Sequence, residues 1–183
     1  MKVSLSHVSH IANKIAVDLS RSGVVFLTEG LERVAEEAEK LLIENVKKEI
    51  ALEARVNEIV DENEEQIDYY LADERQLFFM IKKKLAGEYG VILSYEERYS
   101  DLSHKILDSL YEEDLIRYDV SENRVKNIIY DAITGYIADN SEIESAVLDR
   151  MRSYKRQLIP GTDEYDILYE KLYKEELQRR GMA

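Results

Sequence analysis

His7 and His10 stand three residues apart, a spacing that puts two imidazoles on one helical face, close enough to share a metal ion. No Cys is available to complete such a site, and the nearest acid, Asp18, is two turns further on. The third histidine, His104, has Asp101 and Asp108 three and four residues away, a trio that could also hold a cation. The polar surface of a helix explains both groups more simply, so no metal and no cofactor is expected. Zero Cys also excludes thiolate zinc, an iron–sulfur cluster, a disulfide scaffold and a cysteine nucleophile. There is no Gly-x-Ser-x-Gly, no phosphate-cradling loop and no Gly-x-Gly-x-x-Gly; the seven glycines are scattered singly. Carboxylates are abundant, but acid–base catalysis needs a paired group in a dry pocket. No catalytic residue is assigned, and an enzyme with an unrecognised helical active site is the third reading.

Two other groups could do surface chemistry. Arg150, Arg152, Lys155 and Arg156 surround Tyr154, and Arg beside an aromatic ring can grip phosphate and stack on a base. Bases at helix C-termini also offset the macrodipole, which is the plainer explanation, so nucleic-acid binding is the alternative and not the favoured reading. Tyr165, Tyr169 and Tyr173 recur every fourth residue and form a stripe, flanked by Leu168 and Leu172. Tyr suits half-buried sites where the ring packs and the hydroxyl stays wet. Such a stripe packs on the protein's own helices or serves as an interface with a lobe or a partner.

The elements that position these groups read as helices. One Pro in 183 residues removes the commonest helix breaker. Leu5, Val8, Ala12, Ile15 and Leu19 fall on one helical face, with Ser4 as the expected N-cap and Gly23 as the left-handed terminator. Residues 24–27 and 116–118 can be extended. Thr28 reads as the next N-cap, and Leu31, Val34, Ala38, Leu41 and Leu42 resume the stripe. The net charge is −13, of which −11 lies in 29–74, with Asp61, Glu62, Glu64, Glu65 and Asp68 its densest carboxylates. These lack the glycine turn and alternating oxygens of a calcium loop and read as a solvated helix face. The longest apolar run, Leu77 to Ile81, has five residues, far short of the ~20 of a membrane helix. The N-terminus lacks the long apolar core of a secretory signal, so a cytoplasmic protein is expected.

Shifted by 91 residues, the chain matches itself. Lys14-Ile15 falls on Lys105-Ile106, Arg33-Val34 on Arg124-Val125, Leu52-Glu53 on Ile143-Glu144 and Val56 on Val147. After one gap, Asp73-Glu74 meets Asp163-Glu164 and Leu77-Phe78-Phe79 meets Ile167-Leu168-Tyr169. The two halves carry similar net charges, −6 in 1–90 and −7 in 91–183. In the second half, Asp139-Asn140-Ser141 and the capping box Ser141-x-x-Glu144 predict a helix ending near Ala138 and another starting near Glu142. The first half has no such breaker, so its helix can run from Leu31 toward Glu65, which would span ~50 Å and elongate the molecule. The turn Ile159-Pro160-Gly161-Thr162-Asp163 precedes a last helix capped by Thr162 or Asp163; Asp73 caps the equivalent helix, and Gly87 ends it.

The terminal segment IPGTDEYDILYEKLYKEELQRRGM resembles the end of the bacterial family DUF507, a domain of unknown function. Leu5-Ser6 with His10, and again Leu93-Ser94, resemble that family's opening. The resemblance covers essentially the whole chain, as two copies of a ~90-residue unit, and implies architecture without an activity. Together these readings predict an all-α protein of two related helical-bundle lobes, 1–90 and 91–183, with at most short extended pieces. The leading function is a non-catalytic protein-interaction or scaffold module, whose partner the sequence does not name; homo-oligomerisation stays open and membrane insertion is not expected.

Overall fold

The computed structural model describes residues 2–63, 73–154 and 159–180. Among them are a 3-10 turn at Leu5–His7, six α-helices and two short strands: α1 (Val8–Arg21), β1 (Val25–Leu27), α2 (Leu31–Glu62), α3 (Glu74–Leu85), α4 (Tyr95–Glu112), β2 (Ile116–Tyr118), α5 (Glu122–Arg152) and α6 (Asp163–Arg179). The all-α reading holds. The chain forms two compact units, Met1–Thr134 and Gly135–Ala183. No helix among the described residues is long and apolar enough to cross a membrane.

In the first unit α2 is the common support. The stripe of α1 buries Val8, Ile11, Ala12, Ile15, Ala16 and Leu19, and α1, α3 and α4 all pack on α2. The two extended pieces pair as antiparallel strands, with Phe26 opposite Arg117 at the centre and Val25 and Leu27 opposite Tyr118 and Ile116. Phe26 and Arg117 are themselves 91 positions apart, so the pairing is symmetrical in that spacing. Two three-residue strands are too little to be stable alone; buried Val25 and Ile116 tie them to the helical core.

In the second unit the later part of α5 and α6 enclose Ile143, Val147, Met151 and Leu172. The corresponding cluster of the first unit is Leu52, Val56, Val60, Ala86 and Val91, with Leu77, Phe78 and Ile81 against it. Burial recurs at 91 residues in several further places: Ile15 and Ile106, Leu19 and Leu110, Val34 and Val125, Leu42 and Ile133 are all nearly inaccessible.

Several local expectations are corrected. Ser4 does not cap through its side chain; its hydroxyl instead lies 2.8 Å from the Ser6 hydroxyl and 3.1 Å from Nδ1 of His7. Leu5 therefore sits in the 3-10 turn and is exposed, outside the apolar stripe. Thr28 is not the N-cap of α2. Gly30 holds that position with φ of 88°, where a glycine avoids the strain that a Cβ would add. Thr28 instead binds across to the β2 approach, its N–H donating to the Leu115 carbonyl at 3.0 Å and its hydroxyl to that of Asp114 at 2.5 Å. Gly23 does take the left-handed conformation. After α3 that role falls to Gly90, not Gly87.

The expected break at 139–141 is absent, because α5 is continuous. Asn140 spends its amide on side chains instead of backbone, donating to Glu144 at 3.0 Å and accepting from Tyr173 at 2.5 Å. Continuity of α2 is established through Glu62; its expected extension to Glu65 lies outside the described residues. The gap proposed before the last helix is also unnecessary. Leu77 and Phe78 pack as Leu168 and Tyr169 do, again 91 apart, whereas Ile167 is 70% exposed.

Candidate functional site

The most concentrated buried chemistry surrounds Glu49 on α2, only 2% exposed. Leu52 and Val56 face the core from the same helix, and Glu49 lies one turn before them on that face. Its Oε2 accepts from Arg98 Nη1 at 2.7 Å and its Oε1 from Lys82 Nζ at 3.2 Å. Arg98 also donates to the side chain and the carbonyl of Asn45, at 2.7 and 3.0 Å. Lys82 donates to Glu53 at 2.8 Å, and Lys2 donates to the other Glu53 oxygen at 2.5 Å. The result is an unbroken relay from α4 through α2 to α3 and the N-terminal segment.

Electrostatics make this node a clamp. Burial pulls the Lys82 ammonium down, but hydrogen bonds to Glu53 and Glu49 outweigh it and hold its pKa above the ordinary value. Burial pushes Glu53 up, and the bonds from Lys2 and Lys82 overcome it, leaving the carboxyl below its usual range. A lysine held as ammonium is neither nucleophile nor base, and a carboxyl held as anion is a poor acid. Nearby, burial pushes the Tyr99 phenol up to about 12, and its oxygen accepts the Val3 N–H at 3.2 Å.

At the same positions 91 residues on, Glu49, Glu53 and Lys82 become Asn140, Glu144 and Tyr173, which are also hydrogen-bonded to one another, though here Asn140 is the bridging group where Lys82 bridges in the first half. The interaction is rebuilt with a neutral centre. A second polar group lies further along α6. Glu176 is fully enclosed where the first half has Leu85. Its Oε1 accepts from Arg180 Nε at 2.8 Å and Arg179 Nη2 at 2.6 Å, which hold the carboxyl below the usual range, while Oε2 has no partner.

The groups singled out from the sequence fall as follows. Arg150 pairs with Glu175 at 2.6 Å and Arg152 with Asp149 at 3.2 Å. Tyr154 is exposed; Lys155 and Arg156 lie outside the described residues. Tyr165, Tyr169 and Tyr173 do form a ladder, successive rings stacking 6.5 and 6.1 Å apart, with their inner faces against the α5–α6 core. Of the histidines, His104 is brought together with Asp108 and with Glu122, whose Oε1 is 3.4 Å from its Nε2; all three are exposed. Asp101 pairs instead with Lys105.

Sequence reasoning passed over the outer face of α3. Phe79 and Met80 project away from the core, 55% and 63% exposed. Four residues to either side stand Arg75 and Lys83 in line with Phe79, and Gln76 and Lys84 in line with Met80, all exposed. Arg75, Lys83 and Lys84 make no ion pair with any side chain among the described residues. The signal was available in Leu77-Phe78-Phe79-Met80-Ile81, five apolar residues on a helix that can bury only part of its circumference.

With this geometry in view, comparison with known families becomes informative. The family described as protein of unknown function (DUF507) matches residues 1–182. The chain belongs to that family. The match bears out the DUF507 resemblance read over essentially the whole chain. Comparison with curated proteins gives no match.

Proposed function

We propose that this chain is a non-catalytic protein-interaction module of the cytoplasm, built from two copies of one ~90-residue unit, 1–90 and 91–183. The 91-residue recurrence of burial and the symmetrical β1–β2 pair support the duplication. The repeat boundary is one of sequence copies, distinct from the division into packed units. One observation carries the interaction reading. At the positions of α6 that correspond to Phe79 and Met80 stand Glu170 and Lys171, both exposed. A helix in this packing role works with charged residues there, so stability does not account for the outward Phe and Met. Adjacent exposed apolar side chains of this kind mark contact surfaces.

The tyrosine ladder is a weaker candidate for an interface, since its inner faces already have a core to pack on. Nucleic-acid binding through Arg150, Arg152, Lys155 and Arg156 is weaker for a similar reason: the two described arginines are each engaged by a carboxylate. The experiment is a paired affinity enrichment from native cells, with wild type and Phe79→Glu/Met80→Lys as baits. A partner retained by wild type and lost with the variant is expected. Partner sets indistinguishable between the two baits would contradict the reading.

A further inference from the structure

We infer that the outer face of α3 receives an acidic, amphipathic segment of a partner protein, its apolar residues on Phe79 and Met80 and its carboxylates on Lys83 and Lys84. This rests on the interaction reading above and adds the chemistry of the partner. Charge complementarity selects this partner. The chain as a whole carries −13, and most of its exposed bases are already paired with a neighbouring acid: Arg33 with Glu29 and Glu36, Arg55 with Glu58, Lys48 with Glu44, Lys14 with Asp18. On α3 three cations instead gather on the face that exposes the apolar pair, with no carboxylate of their own.

The corresponding columns of α6 show what the same face looks like without a partner to suit. Arg75-Phe79-Lys83 becomes Asp166-Glu170-Lys174, and Gln76-Met80-Lys84 becomes Ile167-Lys171-Glu175. There charges of both signs surround one exposed apolar residue, Ile167, and Glu175 is taken by Arg150. The α3 face has the composition of an interface: an apolar centre with a rim of one sign.

The surroundings fix the direction of the occupant. Between α2 and α3 a shallow hollow is lined by Asn57, Val60, Phe78 and Phe79, with three acids at its rim, Asp61, Asp73 and Glu74, against one base, Arg75. An apolar anchor fits that hollow, while a carboxylate there would be repelled. The partner's acids must therefore lie over the C-terminal half of the helix, against Lys83 and Lys84. Those same rim acids repel a phosphate backbone running the length of the helix, which favours a peptide over nucleic acid.

The test uses the full chain and three fluorescent probes: an 18-residue helical peptide with a Leu/Phe face and Glu at its polar positions, its Lys counterpart, and a 20-nucleotide single-stranded DNA. Anisotropy titrations at two salt concentrations should show saturable binding of the Glu peptide, weakened at high salt. Arg75→Gln/Lys83→Gln/Lys84→Gln should weaken it at least tenfold, and so should Phe79→Glu/Met80→Lys. Circular dichroism of each variant should match wild type, since all five side chains are exposed. Tighter binding of the Lys peptide or of DNA, binding unchanged in the triple variant, or no binding of the Glu peptide would each overturn the inference. Should the partner found by affinity enrichment be lost with Phe79→Glu/Met80→Lys yet dock through a basic segment, the charge argument fails and the interaction reading survives.

Discussion

The hairpin of α2 with α3 and the hairpin of α5 with α6 close over matching apolar positions: Leu52, Val56 and Leu77 in one, Ile143, Val147 and Leu168 in the other. They differ in how they treat polarity. The first buries the ionic group of Glu49, Lys82 and Arg98 and leaves Phe79 and Met80 outside. The second uses Asn140 and Tyr173 at its centre and shows Glu170 and Lys171 outside. Packing of large apolar residues is thus the shared determinant of the hairpin, and the polar centre and outer face are free to vary.

The sharpest way to break that comparison is to remove the two centres in turn. Glu49→Ala leaves Lys82 and Arg98 buried without their shared carboxylate and should cost about 3–5 kcal/mol in urea denaturation. Asn140→Ala removes only neutral or singly assisted hydrogen bonds and should cost about 1–3 kcal/mol. Equal losses would mean that charge at the first centre has no special role.

Acid titration sharpens the same contrast. The folded pKa of Glu53 lies below its ordinary value of 4.5, so its contribution is complete above 4.5 and is lost as pH falls through the lower folded value. Lys82 is raised above 10.5, so its contribution is complete below 10.5 and is lost as pH climbs through the folded value. The clamp is therefore fully set between those limits. Hydrogen-exchange protection factors of α2 and α3, referred to the intrinsic rate at each pH, should fall below pH 4.5 in wild type, and Glu53→Gln should flatten that dependence.

In the second hairpin, Glu176→Leu installs the residue type that the first has at Leu85. It removes an enclosed oxygen with no partner, so the melting temperature should rise; a fall would show that the bonds from Arg179 and Arg180 outweigh that burial. The smallest effect belongs to Arg150→Gln. Its pair with Glu175 is 42% exposed on both sides, and its loss should cost no more than about 1 kcal/mol in the same urea experiment.

Much of the helical architecture was legible because helical periodicity is a local pattern. The extended pieces at 24–27 and 116–118 were readable from β-branched content, though not their pairing, which depends on where two distant helices end. The break expected at 139–141 failed for a tertiary reason. Asn140 would have favoured a turn had Tyr173 and Glu144 not occupied its amide. Glu49 was indistinguishable from the other acids of 29–74, since its partners Lys82 and Arg98 lie 33 and 49 residues away. The run Leu77–Ile81 signals that some apolar side chain of α3 stays outside, but not that Phe79 and Met80 are the ones a helix will leave in water.

The central claim is that Phe79 and Met80 are present for a partner and not for the fold. Urea unfolding of Phe79→Glu/Met80→Lys, which copies the α6 residues onto α3, tests it most directly. The variant should keep a stability within about 1 kcal/mol of wild type, the small loss coming from the edge-to-face contact of Phe78 and Phe79 at 5.7 Å. A loss of about 3 kcal/mol or more, the cost of emptying a packed core site, would contradict it.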